Sequence, residues 1–279
     1  MNFKHLFDLY FSRHVLTKNK NHANARYFYN RHGSYWSATP VDEITTQSLQ
    51  EWVDTLGTTR GQQAANRAIN QMSACFNWGI KRGYLSANPA RGVERYRSNA
   101  RERFLLPDEV ARLKQALAVE APIYRDFFFL CLLTGARKTN VLTMRWEQID
   151  TELALWTIPA GEFKNGQTQH IPLSPAAMAI LQRRQNDSRY VFPGDGVTGH
   201  LADPKRAWKR ILKRANIPHA TIHDLRRTVG SYLAVSGAEL PLIAKALGHR
   251  DLRSTAVYAR LNVEPVRVAM LNIQEKWLT

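Results

Sequence analysis

The sequence is poor in the residues that stabilise small secreted proteins or hold metals. Its 279 residues include two cysteines, Cys75 and Cys131, both in apolar helical contexts and outside any C-x-x-C pair. Two such thiols make no disulfide framework, and we expect them to pack in the core of a protein kept in a reducing cytoplasm. None of the nine histidines falls in an H-E-x-x-H or clustered Cys/His pattern, so we expect no structural or catalytic metal.

Long hydrophobic segments are also missing. The longest apolar run, Phe127 to Leu133, is too short to span a bilayer. The first ten residues carry charges among their apolar side chains and lack the apolar stretch of a signal peptide. We therefore expect no membrane partner.

Acidic residues are outnumbered by basic ones. Lys and Arg number 39 against 23 Asp and Glu, which gives a formal net charge of +16 and a pI near 10.1. A charge of this size predicts attraction to a polyanion, and without a membrane segment the favoured polyanion is nucleic acid. The 44% of hydrophobic residues is ordinary for a globular protein.

Apolar periodicity predicts two mostly helical domains with one small antiparallel sheet, an α+β fold. Residues 1–93 are predicted to be helical, with helices at Leu49–Leu56 and Gln62–Lys81. Residues 94–103 lose the periodicity and are predicted to form a basic linker, although a solvated surface loop would have the same composition. The second domain spans residues 104–279.

The second domain is predicted to contain helices around one hairpin. A helix start lies at Pro107, and a very apolar helix spans about Ile123 to Thr134. Leu153–Ile158 and His170–Leu173 are predicted strands that flank a turn at Lys164–Gly166. Further helices are predicted at Pro175–Gln185, Pro204–Ala215, His223–Ser236, Leu240–Leu247 and Glu264–Trp277.

Short motifs of this domain contain six candidate catalytic side chains. In chain order, they are Arg137 in Thr134-Gly135-Ala136-Arg137, Lys164 at the hairpin tip, His223 and Arg226 in His223-Asp224-Leu225-Arg226, His249 in Leu247-Gly248-His249, and Tyr258. Alone, each has an ordinary explanation: a surface charge, a solvated turn, a helix end or a core tyrosine. Their joint order and spacing favour a common site.

These residue types suit the transfer of a phosphodiester. Arg137 and Arg226 can hold a phosphate and stabilise the extra negative charge of its transition state. A tyrosine in such a cationic pocket is expected to lose its proton more easily, which would activate Tyr258 as the nucleophile. Lys164 can protonate the departing 5′-oxygen. No nucleotide or metal cofactor is needed.

The motifs resemble those of the tyrosine recombinases, the phage integrases and their relatives, over essentially the whole second domain. The resemblance implies that Tyr258 forms a 3′-phosphotyrosyl bond and that Arg137 and Arg226 hold the non-bridging oxygens. It further implies that His223 and His249 hydrogen-bond the phosphate and that Lys164 is the general acid. Residues 1–93 resemble more weakly the helical domain that binds the core site.

The resemblance also implies partners. These are double-stranded DNA, three further copies of the chain in a homo-tetramer on paired sites, and possible accessory DNA-bending or directionality proteins, all in the cytoplasm and nucleoid of a bacterial host. The last predicted helix carries an apolar stripe that can dock on a neighbouring protomer or on its own domain. The stripe consists of Val266, Met270, Ile273 and Trp277.

The sequence differs from the family pattern in two respects, and two alternative functions stay open. Asn140 stands where an acidic residue often follows the first arginine of the family, which predicts altered support for Arg137. Many phage integrases carry a further N-terminal domain, so this chain is expected to be either a simple recombinase or a truncated one. The alternative functions are a type IB topoisomerase-like relaxer of DNA and a non-catalytic DNA-binding protein.

Overall fold

The chain forms two compact units, Met1–Ala100 and Arg101–Thr279. The computed structural model describes residues 1–18, 22–97, 102–162, 166–185, 187–261, 263, 267, 270–271 and 273–274. Within these ranges, no helix combines the length and the apolar character that a bilayer span requires.

The first unit is helical, as predicted. Its helices are α1 (Phe3–Tyr10), α2 (Leu16–Lys18), α3 (His22–Arg31), α4 (Thr46–Arg60) and α5 (Gln62–Lys81). An unpredicted π-helical turn, Phe11–Val15, joins α1 to α2. Aromatic side chains from α1, α3 and α5 form much of the core, where the rings of Phe7 and Tyr29 stack with centroids 4.3 Å apart.

Local signals explain where the two long helices begin and end. The Thr45 hydroxyl accepts a hydrogen bond from the Ser48 amide and caps α4, which is longer than the predicted Leu49–Leu56. Helix α5 has the predicted bounds. It ends where Gly83 adopts a left-handed φ of 74° and the Tyr84 amide donates to the Gly79 carbonyl.

The start of the predicted linker is fixed to the first unit. The Asn66 side chain accepts from the Tyr96 amide at 3.0 Å and donates to the Tyr96 carbonyl at 2.8 Å. The Glu94 amide donates to Gln50 at 2.8 Å. Residues 94–97 are therefore ordered against α4 and α5, and residues 98–101 lie outside the described ranges.

The second unit is built around one apolar helix. Its helices are α6 (Pro107–Ala118), α7 (Pro122–Thr134), α8 (Lys138–Leu142), α9 (Pro175–Arg183), α10 (Lys205–Arg214), α11 (Ile222–Val235) and α12 (Leu240–Leu247). Helix α7 places Phe127, Phe128, Leu130 and Cys131 in the core, as its composition predicts. The predicted helix Glu264–Trp277 lies mostly outside the described residues.

The sheet has three antiparallel strands, in the order β1 (Ile149–Asp150), β2 (Leu155–Ile158) and β3 (Gln169–Pro172). The short β1 was not predicted, and the predicted strand start at Leu153 is wrong. The Asp150 carboxylate accepts from the Leu153 amide at 2.8 Å and closes a turn between β1 and β2.

Helix α11 is held at its start by buried polar groups. The Thr221 amide and hydroxyl both donate to Asp224, whose side chain is fully buried. One turn later, the Thr228 hydroxyl donates to the Asp224 carbonyl at 2.7 Å and accepts from the Leu105 amide at 2.9 Å. These bonds fix α11 against the segment that precedes α6.

We expect Thr228→Val to destabilise the protein by about 1–3 kcal/mol, because the buried Leu105 amide loses its acceptor while the volume of the side chain is kept. The measurement is the midpoint of urea unfolding at an unchanged m value. Thr228→Ser, which keeps the hydroxyl, is the matched control and should keep most of the stability that Thr228→Val loses. Equal midpoints for Thr228→Val and the unmodified protein would contradict the assignment.

Candidate active site

Two candidate side chains lie on one face of α11. His223 and Arg226 are three residues apart, the spacing at which helical side chains are neighbours. The capping contacts of Thr221 and Asp224 set where α11 begins, and they therefore set the direction of this face. His223 and Arg226 thus lie side by side, as predicted, because both belong to α11 and are separated by about one helical turn.

Arg226 connects three elements of the unit. It is 3% exposed and donates through Nη1 to the Gly135 carbonyl at 2.8 Å and through Nη2 to the Leu247 carbonyl. Gly135 ends α7 in a left-handed conformation, φ 61°, and Leu247 is the last residue of α12. Burial and the nearby Arg137 lower the pKa of Arg226 to about 10, so it remains a cation at neutral pH.

Arg137 reaches the same end of α12. It precedes α8, and its Nη2 donates to the Gly248 carbonyl at 3.4 Å. Burial lowers its pKa. The last carbonyl groups of a helix carry partial negative charge, which favours two guanidinium groups at this position. Asn140 lies buried in α8, the helix that follows Arg137, and its effect on the support of Arg137 stays a prediction.

His249 comes directly after α12. Gly248 has a φ of 61°, which turns the chain out of the helix, and Nδ1 of His249 lies 2.8 Å from the hydroxyl of the fully buried Thr255. Burial, Arg226 and Arg137 lower the pKa of His249 to about 4. The imidazole is therefore neutral at neutral pH.

His223 shares this electrostatic environment. Desolvation, followed by Arg227 and Arg226, lowers the pKa of its imidazole. Arg137 lies close enough to lower the pKa values of both His223 and His249. The structure thus brings two arginines and two histidines together, and the repulsion between the two guanidinium groups is relieved by an anion.

Tyr258 lies in a 3-10 helical segment, Ala256–Leu261, and is 4% exposed. Its ring packs on α11 at Gly230, where an added Cβ would be 2.5 Å from the ring carbon Cζ that bears the hydroxyl. Gly230 follows Arg226 by one turn, so both face the ring. The tyrosine therefore belongs to the same site as Arg226.

The expectation that the cationic pocket eases proton loss from Tyr258 is wrong for the DNA-free protein. Burial raises the pKa of the phenol, and this effect exceeds the opposing influence of Arg226 and Arg227. A low-dielectric environment disfavours the phenolate more strongly than two neighbouring cations favour it. The hydroxyl is therefore protonated at neutral pH.

Lys164 lies outside the described residues, so the structure does not place its side chain. Strands β2 and β3, which lead into and out of its loop, are paired in the register Ile158 to Gln169. The predicted hairpin is confirmed for these strands, and the role of Lys164 stays a prediction.

Sequence analysis missed Gln169 and Thr255 as contacts of the site. Gln169 is buried on the same face of β3 as Ile171, and its Nε2 donates to the Ala246 carbonyl of α12 at 3.3 Å. A polar residue at a buried position of an alternating strand was the available signal. The sequence around Thr255 shows no comparable pattern, because the burial of this residue results from the tertiary structure.

The arrangement can bind one anion and present a hydroxyl to it. Guanidinium and imidazole donors suit the tetrahedral oxygens of a phosphate. The Tyr258 hydroxyl lies beside Arg226 and is the candidate nucleophile of this pocket, because its attack on a bound phosphorus would place the developing charge among the cations.

Comparison with known proteins gives a consistent result. The model of the phage integrase family matches residues 103–264, more than half of the chain. The tyrosine recombinase XerC of Xanthomonas campestris pv. campestris (strain B100) is 27% identical over 208 residues, which cover 70% of this chain and 63% of that protein. This chain thus spans less than two thirds of the length of that relative.

Two solved structures share the fold. The Tn1549 transposon integrase (residues 82–397) in complex with circular intermediate DNA has a TM-score of 0.78 at 15% identity, and covers 98% of this chain and 100% of that one. A lambda integrase tetramer bound to a Holliday junction has a TM-score of 0.70 at 16% identity, and covers 90% of this chain and 78% of that one. The predicted fold class is confirmed.

We expect His249 to stay neutral in the DNA-free protein down to a pH of about 4. The imidazole resonances in ¹H–¹⁵N NMR spectra, assigned with His249→Gln, measure this directly. Because the unfolded chain binds the proton more readily, His249 lowers the stability of the fold as the pH falls from 6.5 to about 4. His249→Gln should therefore lose less stability over that interval, and a resonance that titrates near 6.5 would contradict the buried position.

Proposed function

This chain belongs to the phage integrase family, and we propose that it is a site-specific tyrosine recombinase. It cleaves and rejoins strands of double-stranded DNA, in the integration or excision of a phage or another mobile element. The observation that carries the proposal is the buried Tyr258, which packs on α11 beside Arg226 in a pocket shared with Arg137, His223 and His249.

The cleavage step exchanges one phosphodiester for another. The Tyr258 oxygen attacks the scissile phosphorus, the bond from phosphorus to the 5′-oxygen breaks, and a 3′-phosphotyrosyl bond forms. The phenol proton leaves as the bond forms, and the 5′-oxygen gains a proton, for which Lys164 is the proposed donor. Religation reverses these steps with a 5′-hydroxyl from another strand. The two esters are similar in energy, so the exchange consumes no nucleotide.

Arg137 and Arg226 hold the non-bridging oxygens of the phosphate. Their guanidinium groups are already oriented by the carbonyls of Gly248 and Leu247, so little reorganisation is needed when charge develops. A binding phosphate also relieves the repulsion between the two cations. The transition state carries more negative charge on these oxygens than the bound phosphodiester does, so the two cations stabilise it more strongly.

His249 serves as a neutral hydrogen-bond donor. Its Nδ1 lies 2.8 Å from the Thr255 hydroxyl; in the tautomer in which this hydroxyl donates to Nδ1, the ring proton lies on Nε2 and can form a hydrogen bond with a phosphate oxygen. His223, whose pKa is also lowered by desolvation and by Arg227 and Arg226, can accept the proton that Tyr258 releases. In this proposal, His249 hydrogen-bonds the phosphate and His223 accepts the proton.

The first unit provides a second DNA-binding surface, which we name the arginine groove. It lies between α3, α4 and α5 and is lined by Arg31, Arg60 and Arg67, with the amides of Asn24, Asn70 and Gln71 beside them. Desolvation and the three arginines lower the pKa of His32, which marks a concentration of positive charge. Its described lining contains no carboxylate. Such a groove suits phosphates, and the amides can also contact base edges.

Two copies on each of two paired sites form the proposed tetramer. One of the solved structures with this fold is a lambda integrase tetramer bound to a Holliday junction. In this chain, Met270 and Ile273 of the predicted apolar stripe are 54% and 45% exposed. Val110, Leu132 and Leu233 line an apolar groove of the second unit. Docking of the stripe in the groove of a neighbour would link the protomers.

The nucleophile is tested with a nicked duplex that traps the covalent product. DNA flanking the coding sequence, searched for a short inverted repeat, supplies the candidate site. We expect a protein–DNA adduct that resists denaturant and is absent from Tyr258→Phe, because a phenyl ring cannot attack phosphorus. If Tyr258→Phe still forms the adduct, the assignment of the nucleophile is wrong; if neither protein forms it, the chain is a DNA-binding protein without this activity.

A second experiment with the same protein and site distinguishes a recombinase from a topoisomerase-like relaxer of DNA. Two labelled duplexes that each carry the site are incubated with the protein, and four-stranded junctions are counted by gel electrophoresis. A recombinase joins strands of both duplexes, whereas a relaxer forms the adduct and releases supercoils without joining them. Adducts without junctions would therefore favour the relaxer.

The arginine groove is tested by the salt dependence of DNA binding. Arg31→Gln, Arg60→Gln and Arg67→Gln should each lower the slope of log affinity against log salt by about 1, because each removes one phosphate contact. Lys4→Gln is the matched control, since it removes a charge from the same unit where Asp8 pairs with it at 2.7 Å. Slopes equal to that of Lys4→Gln would place the DNA on another face.

A further inference from the structure

One buried side-chain oxygen of the second unit lacks a hydrogen-bond partner within the described residues. Gln169 is 6% exposed, and its Oε1 has no hydrogen-bond partner there. A buried acceptor without a partner costs free energy that an apolar side chain of similar size would not. Ile171, two residues later on the same face of β3, is buried and apolar, as is usual for an inward-facing strand position.

The other half of the Gln169 amide contacts the turn that ends α12. Its Nε2 donates to the Ala246 carbonyl at 3.3 Å. The amide also lies so close to Gly248 that an added Cβ would be 2.5 Å from the Cδ of Gln169. Gly248 therefore has two constraints, its left-handed φ of 61° and the approach of Gln169.

This turn orients three groups of the candidate active site. The Leu247 carbonyl accepts from Arg226, the Gly248 carbonyl accepts from Arg137, and His249 follows directly. A displacement of the turn would move all three at once. Gln169 is the described side chain of the sheet that donates to this end of α12.

We infer that Gln169 is a positioning residue, which holds the C-terminal turn of α12 so that Arg226, Arg137 and His249 keep the geometry needed for cleavage. The inference rests on the proposed function and adds a residue to it. Gln169 touches no reacting atom; it acts through the carbonyl of Ala246 and through its contact with Gly248. The unpartnered oxygen lowers the stability of the fold, and the hydrogen bond from the same amide fixes the turn in return.

The test is Gln169→Leu in the full chain. Leucine keeps most of the volume and removes both the donor to Ala246 and the unpartnered oxygen. We expect single-turnover cleavage of the nicked duplex to fall about tenfold to a hundredfold, since small displacements of catalytic groups are costly. DNA affinity should be unchanged and the thermal midpoint nearly unchanged, because removal of the unpartnered oxygen offsets the loss of the hydrogen bond to the Ala246 carbonyl.

A spectroscopic readout distinguishes positioning from general destabilisation. The lowered pKa of His249 depends on its burial beside Arg226 and Arg137, so a loosened turn should raise it towards 6.5 in Gln169→Leu. Gln182→Leu, the same substitution at an exposed position of α9, is the control and should change neither cleavage nor the titration of His249. Rates and a titration like those of the unmodified protein would overturn the inference.

Other outcomes are equally decisive. If Gln169→Leu loses stability and cleavage together, Gln169 is a structural residue and the inference is wrong. Should Gln169→Leu fail to fold, Gln169→Met, with an unbranched side chain of similar length, takes its place with the same expected results. The adduct assay tests the proposed function separately: no adduct with the unmodified protein would refute that function, whereas normal cleavage by Gln169→Leu would refute only the positioning role.

Discussion

The candidate active site depends on the hydrogen bonds that two arginines donate to carbonyl groups at the C-terminal end of α12. A helix ends with carbonyl groups that have no partner inside it. In this protein, two of them, on Leu247 and Gly248, accept hydrogen bonds from Arg226 and Arg137. These neutral carbonyls orient the guanidinium groups and carry only partial charge, so they do not neutralise the arginines as a carboxylate would. The pocket therefore retains its attraction for an anion.

Burial has opposite consequences for the two kinds of group in the pocket. It lowers the pKa values of Arg226 and His249 and raises that of Tyr258, because each charged form is disfavoured away from water. The site thus combines cations that repel one another with a protonated tyrosine. A bound phosphate would relieve the repulsion between these cations, so the proposed binding of a DNA phosphate would favour the arrangement needed for cleavage.

Local patterns predicted much of the fold because the decisive signals lie close together in the chain. Helices α5 and α12 have their predicted bounds, since glycine turns and apolar periodicity define both ends. The strand β1 escaped prediction, because two residues are too few for a period to be seen. The shift of the Tyr258 pKa was predicted in the wrong direction. The motifs indicate the neighbouring cations, which lower this pKa, but they do not show how deeply the side chain is buried.

The sequence by itself determined which chemistry this protein can perform. The order of Arg137, His223, Arg226, His249 and Tyr258 is set by covalent connectivity, and their side-chain chemistry suits a phosphodiester. Tertiary structure alone decided how these groups are held. The contacts of Gln169 with Ala246 and of Gly230 with the Tyr258 ring join segments far apart in the chain, where neither spacing nor periodicity carries information. Such contacts arise only when packing brings the helices and the sheet together.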